Sequence, residues 1–154
     1  MPSPNDLNLI DETLGEASQT NASTEAMLGL LEAADKTQRM IAARYFCDHR
    51  DDRAVMPLIE LLQRDVCPLT RVSAAYALGR NASADAVPAL IDVLEQDWNG
   101  YVRKGVVWAL GNCGDRRSVD PLIHALEHDI SAVRLWAASS LAQVAKLQYE
   151  DVSR

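Results

Sequence analysis

The sequence predicts an all-α solenoid of about four stacked helical hairpins. Two observations carry this. The stretch from Leu69 to Leu94, LTRVSAAYALGRNASADAVPALIDVL, returns 32 residues later, from Tyr101 to Leu126, as YVRKGVVWALGNCGDRRSVDPLIHAL. Matched positions keep their character: Arg71 and Arg103, Leu78 and Leu110, Gly79 and Gly111, Val87 and Val119, Leu90 and Leu122, Leu94 and Leu126. A fixed period of this length marks a unit too small to bury its apolar face alone, which therefore stacks on its copies. Apolar residues also make up 48% of the chain while Phe, Trp and Tyr make up 5%. Such an Ala- and Leu-rich composition suits closely packed helices.

Taken in order, residues 1–23 are expected to be a disordered N-terminus with a short amphipathic helix over Asp6–Ala17, where Leu7, Ile10 and Leu14 share one stripe. The repeat domain is expected over 24–148, followed by a tail over 149–154. Each repeat reads as an A helix, a turn at an aspartate, and a B helix. The first pairs TEAMLGLLEAA with TQRMIAARYFC across Asp35, and the second AVMPLIELLQR with LTRVSAAYALG across Asp65. The third pairs AVPALIDVLEQ with GYVRKGVVWALG across Asp97, and the fourth SVDPLIHALEH with SAVRLWAASSLAQVAK across Asp129.

The punctuation fits. Pro57, Pro88 and Pro121 fall in the first turn of the A helices, where a missing N–H costs nothing. Asp51, Ser83 and Asp115 precede those helices at capping distance. Gly79 and Gly111 close the B helices, allowing tight contact with the next hairpin or a left-handed cap. Arg39, Arg71, Arg103 and Arg134 follow the turn aspartates at near-constant spacing. They predict an Asp–Arg ladder between neighbouring hairpins, structural in role, with Asp also accepting turn N–H groups.

The pattern Val-Arg-x-x-x-x-x-Ala-Leu-Gly, at Val102–Gly111 and again with Thr at Thr70–Gly79, together with a Pro-Leu-Ile A helix, resembles short HEAT-like repeats. More narrowly, residues 24–148 resemble the phycobilisome-lyase type of HEAT-like repeat. That resemblance implies a role in handling phycobiliproteins or a related photosynthetic complex, as scaffold, assembly factor or chaperone. The alternative it implies is a bilin lyase, or a lyase subunit, attaching an open-chain tetrapyrrole to a phycobiliprotein cysteine. It brings no cofactor of the protein's own; a bilin is the ligand it suggests. Its partners would be a phycobiliprotein or another HEAT-like subunit.

Enzymatic motifs are thin. His124-Ala-Leu-Glu127-His128 has the H-x-x-E-H form that places two histidines one helical turn apart for zinc. By repeat alignment, however, His124 occupies the place of Glu60 and Asp92, and His128 that of Arg64 and Gln96. These are solvent-facing positions on the outer helix without a third ligand, so no metal site is expected. Some HEAT-like proteins, deoxyhypusine hydroxylase among them, hold di-iron on repeated His-Glu pairs, and this chain has no His-Glu dipeptide. Nor does it have a P-loop, a nucleophile elbow or a GxGxxG. Cys47, Cys67 and Cys113 lack CxxC spacing, which speaks against a disulfide framework or a zinc site. The formal net charge of −7 argues against nucleic acid and anionic membranes as partners. Without a signal-like N-terminus or a long apolar run, a cytoplasmic protein is expected.

The binding surface is expected on the B helices, which line the concave side of such arrays. With Val102, Val106 and Leu110 facing the core, the opposite face presents Ser73, Tyr76 and Arg80, then Gly105, Trp108 and Asn112, then Trp136, Ser139 and Gln143. Arg44 and Asp48 extend it into the first repeat, and Trp98 and Tyr101 adjoin it. Tyr76, Trp108 and Trp136 thus stand on consecutive hairpins, and Trp, Tyr and Arg are the residues that dominate interface energies. Packing of these rings into gaps between helices is the competing reading. Cys113 lies nearby in sequence, either as a thiol holding a bilin or as a small packed residue. A second surface is expected at the C-terminal end: Leu135, Ala138, Ala142 and Ala145 form one stripe with no following hairpin to cover it. Association there with a second copy or another repeat chain is expected.

Overall fold

The computed structural model describes residues 23–154, and the expected helix over Asp6–Ala17 lies outside them. The described residues form eight α-helices and no strand. A first helix over residues 23–30 (α1) is followed by α2 (Lys36–Asp48), α3 (Val55–Arg64) and α4 (Pro68–Asn81). Then come α5 (Val87–Gln96), α6 (Gly100–Cys113), α7 (Val119–His128) and α8 (Ser131–Val152). Odd-numbered helices are the A helices and even-numbered ones the B helices of an all-α solenoid. Two bounds differ from expectation. α1 stops at residue 30, short of the Ala34 expected. α8 runs to Val152, so residues 149–152 are the last turn of a helix and not a free tail.

Each junction has a visible cause. Before every later A helix a single 3₁₀ turn is capped by the expected residue: Asp51 accepts from the Arg53 amide, Ser83 from Asp85 and Asp115 from Arg117. These side chains satisfy donors the helix start leaves open. Asn99 caps α6 by accepting from the Tyr101 and Val102 amides. The left-handed C-caps fall past the expected glycines, at Ala82 (φ 55°) and Gly114 (φ 63°).

The core runs the length of the array. Val55, Leu58, Leu62, Leu78, Val87, Leu90, Val102, Val106, Leu110, Leu122 and Val133 are among its buried residues. The broadest contacts join successive B helices, α2 to α4 to α6 to α8, while A helices touch one another less. Two glycines make the later crossings close. A Cβ on Gly79 would lie 2.7 Å from the Ala109 Cα and 2.8 Å from the Trp108 ring. One on Gly111 would lie 2.8 Å from Ser140 Oγ and 3.0 Å from its Cα. The buried Ser140 hydroxyl is satisfied there by the Val107 carbonyl at 2.8 Å.

The ladder joins the turns. Arg71 forks onto Asp97 through Nε (2.8 Å) and Nη2 (3.1 Å), and its Nη1 donates to the Asp65 carbonyl at 2.9 Å. Arg103 repeats this on Asp129 (2.9 and 2.9 Å), with its Nη1 on the Asp97 carbonyl at 2.8 Å. Arg39 reaches Asp65 at 2.6 Å and donates to the Ala33 and Ala34 carbonyls. Each arginine therefore binds the carboxylate of the next hairpin and a backbone carbonyl at its own turn. The carboxylate partner of Arg103 is Asp129; Asp97 gives it a backbone oxygen. Arg134, the last in the series, donates to the Leu126 carbonyl at 3.0 Å.

Two sets of substitutions test this packing. The Arg71 and Asp97 side chains are 8% and 7% exposed, against 17% and 12% for Arg103 and Asp129. Arg71→Ala should then cost about 3–5 kcal/mol, as expected for stranding a buried charge, and Arg103→Ala about 1–3 kcal/mol. Urea unfolding should return that order, and equal small losses would remove the ladder from the stability argument. Gly111→Ala should cost about 1–3 kcal/mol through overpacking, despite the better helix propensity of Ala. Gly105, whose added Cβ would meet Tyr76 and Val72 at an ordinary 3.7 Å, should instead gain about 0.5–1 kcal/mol on becoming Ala.

Candidate functional site

One face of the B helices collects the expected residues. On α2 and α4, a hollow of about 410 Å³ is lined by Met40, Arg44, Cys47, Asp48, Leu69, Val72, Ser73, Tyr76 and Tyr101. On α6 and α8, a second hollow of about 250 Å³ is lined by Trp108, Gly111, Asn112, Trp136, Ser139, Ser140 and Gln143. Of the predicted residues, Arg44 and Tyr76 thus share the first, and Trp108, Asn112, Trp136 and Gln143 the second. Arg80 lines neither, but its charge reaches Cys47, which lines the first. With Arg44 it is close enough to pull the Cys47 thiol downward against the larger upward push of burial and that of Asp48.

The rings differ in how free they are. Tyr76 and Trp108 are half-buried and meet edge to face, centroids 5.2 Å apart. Burial pushes the Tyr76 phenol up, and the Trp108 ring covers Gly79. Both therefore seal the gap between α4 and α6 as well as facing outward. Trp136 is 36% exposed and carries the Lys104 ammonium over its ring at 5.4 Å. Such a cation–π contact adds modestly to stability and holds the indole in place. The sequence reading missed Lys104, Met40 and Leu69 as members of this face. Lys104 lies on α6 and Trp136 on α8, so their contact joins two hairpins and leaves no signal within one repeat.

Other expectations resolve differently. The Cys113 thiol donates to the Ser83 carbonyl at 3.8 Å, and burial pushes it up to about 11. It is a packed thiol directed at the turn before α5, in keeping with the role of a small packed residue. His124 and His128 are exposed, with ring centroids 4.6 Å apart. Among the described residues no group of three or more His, Cys, Asp or Glu side chains is placed to hold a metal ion. A hollow of about 490 Å³ lies beside these histidines, and two of its acids, Asp97 and Asp129, are taken by the ladder. Trp98 stands outside the B-helix face, with the Arg71 guanidinium 5.8 Å from its ring.

At the C-terminal end Leu135 is 72% exposed, and Ala138, Ala142 and Ala145 are exposed along the same side of α8. Tyr149 and Val152 continue the stripe at the same spacing. No described helix is long and apolar enough to cross a membrane.

Comparison with known proteins fits this architecture. A family model described as HEAT repeats matches residues 24–103 and again 87–153. The match is to HEAT repeats in general and does not single out the phycobilisome-lyase type. The search of curated proteins gave no match. Among solved structures, human deoxyhypusine hydroxylase in complex with glycerol is similar with a TM-score of 0.69 at 23% identity. The likeness covers 88% of this chain and 48% of that one, so the chain spans about half the length of that protein. At this identity the likeness is one of fold. With matches running through all four hairpins, the chain belongs to the HEAT-repeat family.

Proposed function

We propose that this protein is an interaction solenoid that holds a protein partner on its B-helix face. The observation that carries the reading is the set of rings on consecutive hairpins, Tyr76, Trp108 and Trp136, bordering two hollows with Arg44 and Arg80 at hand. HEAT arrays typically mediate protein interaction, and solenoids of this type use one extended face for it. The finer setting, handling of phycobiliproteins, is supported by the repeat text alone, and purified phycocyanin is the probe for it. Trp136→Ala is the clean variant, since Trp108 also packs over Gly79. In biolayer interferometry the wild type should bind phycocyanin, and Trp136→Ala should weaken binding about 10-fold or more with helical circular dichroism unchanged. Absence of wild-type binding removes phycobiliproteins as the setting, and binding that survives Trp136→Ala places the site elsewhere.

A second reading, a bilin lyase or lyase subunit, is favoured by two arginines able to meet propionate groups beside flat rings. It would require the protein to hold the pigment itself. Titrating phycocyanobilin into the protein should then shift and sharpen its long-wavelength absorption band, with the shift lost in Arg44→Ala and Arg80→Ala together. An unchanged spectrum leaves the interaction role without pigment chemistry.

A further inference from the structure

We propose that the B-helix face takes an acidic segment of its partner, one in which carboxylates alternate with apolar side chains. The inference rests on the interaction role above and specifies the partner's chemistry.

The whole chain has a formal net charge of −7, yet the sign is not evenly spread. Arg44, Arg80 and Lys146 are exposed on the B helices, and Lys104 lies over Trp136. Among the described residues none of these four is in an ion pair. The carboxylates on the same helices are Asp48, at the first hollow, and Glu150 and Asp151 in the last turns of α8, beyond Lys146. Arg39, Arg71 and Arg103 do not contribute, because each is already answered by a turn aspartate, and Arg134 is held at its own turn by the Leu126 carbonyl. On the outer A helices the balance is reversed. Glu60, Asp92, Glu95, Asp120 and Glu127 are exposed there, and Arg64 is spent on Glu60 at 3.1 Å. A face with unanswered cations on an otherwise acidic body attracts an anionic partner and orients it.

The shape of the face decides which anion. The cations are separated by rings and by hollows of about 250 and 410 Å³, enough for one or two side chains each and too small for a folded surface to enter. A segment with apolar residues between its carboxylates satisfies both features. A nucleic acid presents a charge at every nucleotide and needs a dense row of cations. Four, flanked by acidic A helices that repel a long polyanion, do not provide one.

The experiment uses the full-length protein and fluorescein-labelled peptides of about twelve residues, read by anisotropy at about 50 mM salt. One peptide alternates Glu with Leu and Phe, a second replaces Glu by Gln, and a third replaces Glu by Lys. A single-stranded oligodeoxynucleotide of similar length is the fourth probe. The Glu peptide should bind best, and raising salt to about 300 mM should weaken it while leaving any Gln-peptide binding unchanged. Arg44→Gln with Arg80→Gln should weaken the Glu peptide about 10-fold, and Trp136→Ala should weaken it by a similar factor. Both arginines are exposed, so unchanged circular dichroism will show these variants folded.

If the Gln or Lys peptide binds as tightly as the Glu peptide and still depends on Trp136, the acidic class is wrong and the interaction role stands. If no peptide binds in a Trp136-dependent way, both fall. Tighter binding of the oligodeoxynucleotide than of the Glu peptide overturns the assignment in favour of nucleic acid.

Discussion

The rung between a B-helix arginine and the next hairpin's turn aspartate is the constraint on which the array depends. Ridges packed into grooves favour a crossing angle between hairpins, but more than one register along the helix meets that angle. The guanidinium fork removes that freedom. Its planar set of donors takes two carboxylate oxygens on one hairpin and a carbonyl on another, a geometry an ammonium cannot reproduce. The aspartate is itself fixed by its own turn: Asp65 accepts from the Cys67 amide and Asp97 from the Asn99 amide, each at 2.9 Å, and Asp129 accepts from the Ile130 amide at 2.7 Å. Three structural units thus meet at each rung, so a small error in hairpin position would break several charge-assisted bonds at once.

With register held at the turns, packing can tighten at the far ends of the B helices. There Gly79 and Gly111 let Ala109 and Ser140 come within distances no Cβ would allow. At the α2–α4 crossing the equivalent of Gly79 is Cys47, whose half-buried thiol donates to the Ser73 carbonyl at 3.5 Å. Between them these crossings leave much of the opposite side of each B helix open, although Ser73 and Gly105 are buried there and Tyr76 packs on Trp108. The binding face is in this sense a by-product of where the helices touch.

What could be read from the sequence follows the same division. Features that recur every repeat were legible: the hairpins, the capping residues Asp51, Ser83 and Asp115, and the Asp–Arg ladder. Recurrence is itself the signal of a structural requirement. Misreadings came where one copy departs from the others. α1 stops early, and α8 continues through Val152, well past the length of the other B helices. For Cys113 the sequence left two roles open, and the thiol, turned to the Ser83 carbonyl where the last turn of α6 faces the junction before α5, fits the small packed residue. Net charge said nothing of where the charges lie. A single total of −7 hides an acidic outer layer and an inner face with cations to spare, since composition carries no address.

The repeats themselves say where specificity resides. Aligned by the ladder arginines, the inner core position reads Phe46, Leu78, Leu110 and Leu141, and its neighbour reads Ala42, Ala74, Val106 and Ala137. Both vary within narrow limits of size and polarity, as close packing demands. The positions along the B-helix face obey no such limit, although Ser73 and Gly105 among them are buried. One reads Ile41, Ser73, Gly105 and Trp136; the next Arg44, Tyr76, Trp108 and Ser139; the third Asp48, Arg80, Asn112 and Gln143. Charge, size and aromaticity change from one hairpin to the next on a backbone that does not. A surface serving only to stay in water would need no indole at 36% exposure, and a surface serving only to pack would repeat. A face that is aromatic, cationic and different at every step is suited to reading a partner whose own residues differ along its length. This favours an extended segment laid across the hairpins over a ligand bound at any one of them.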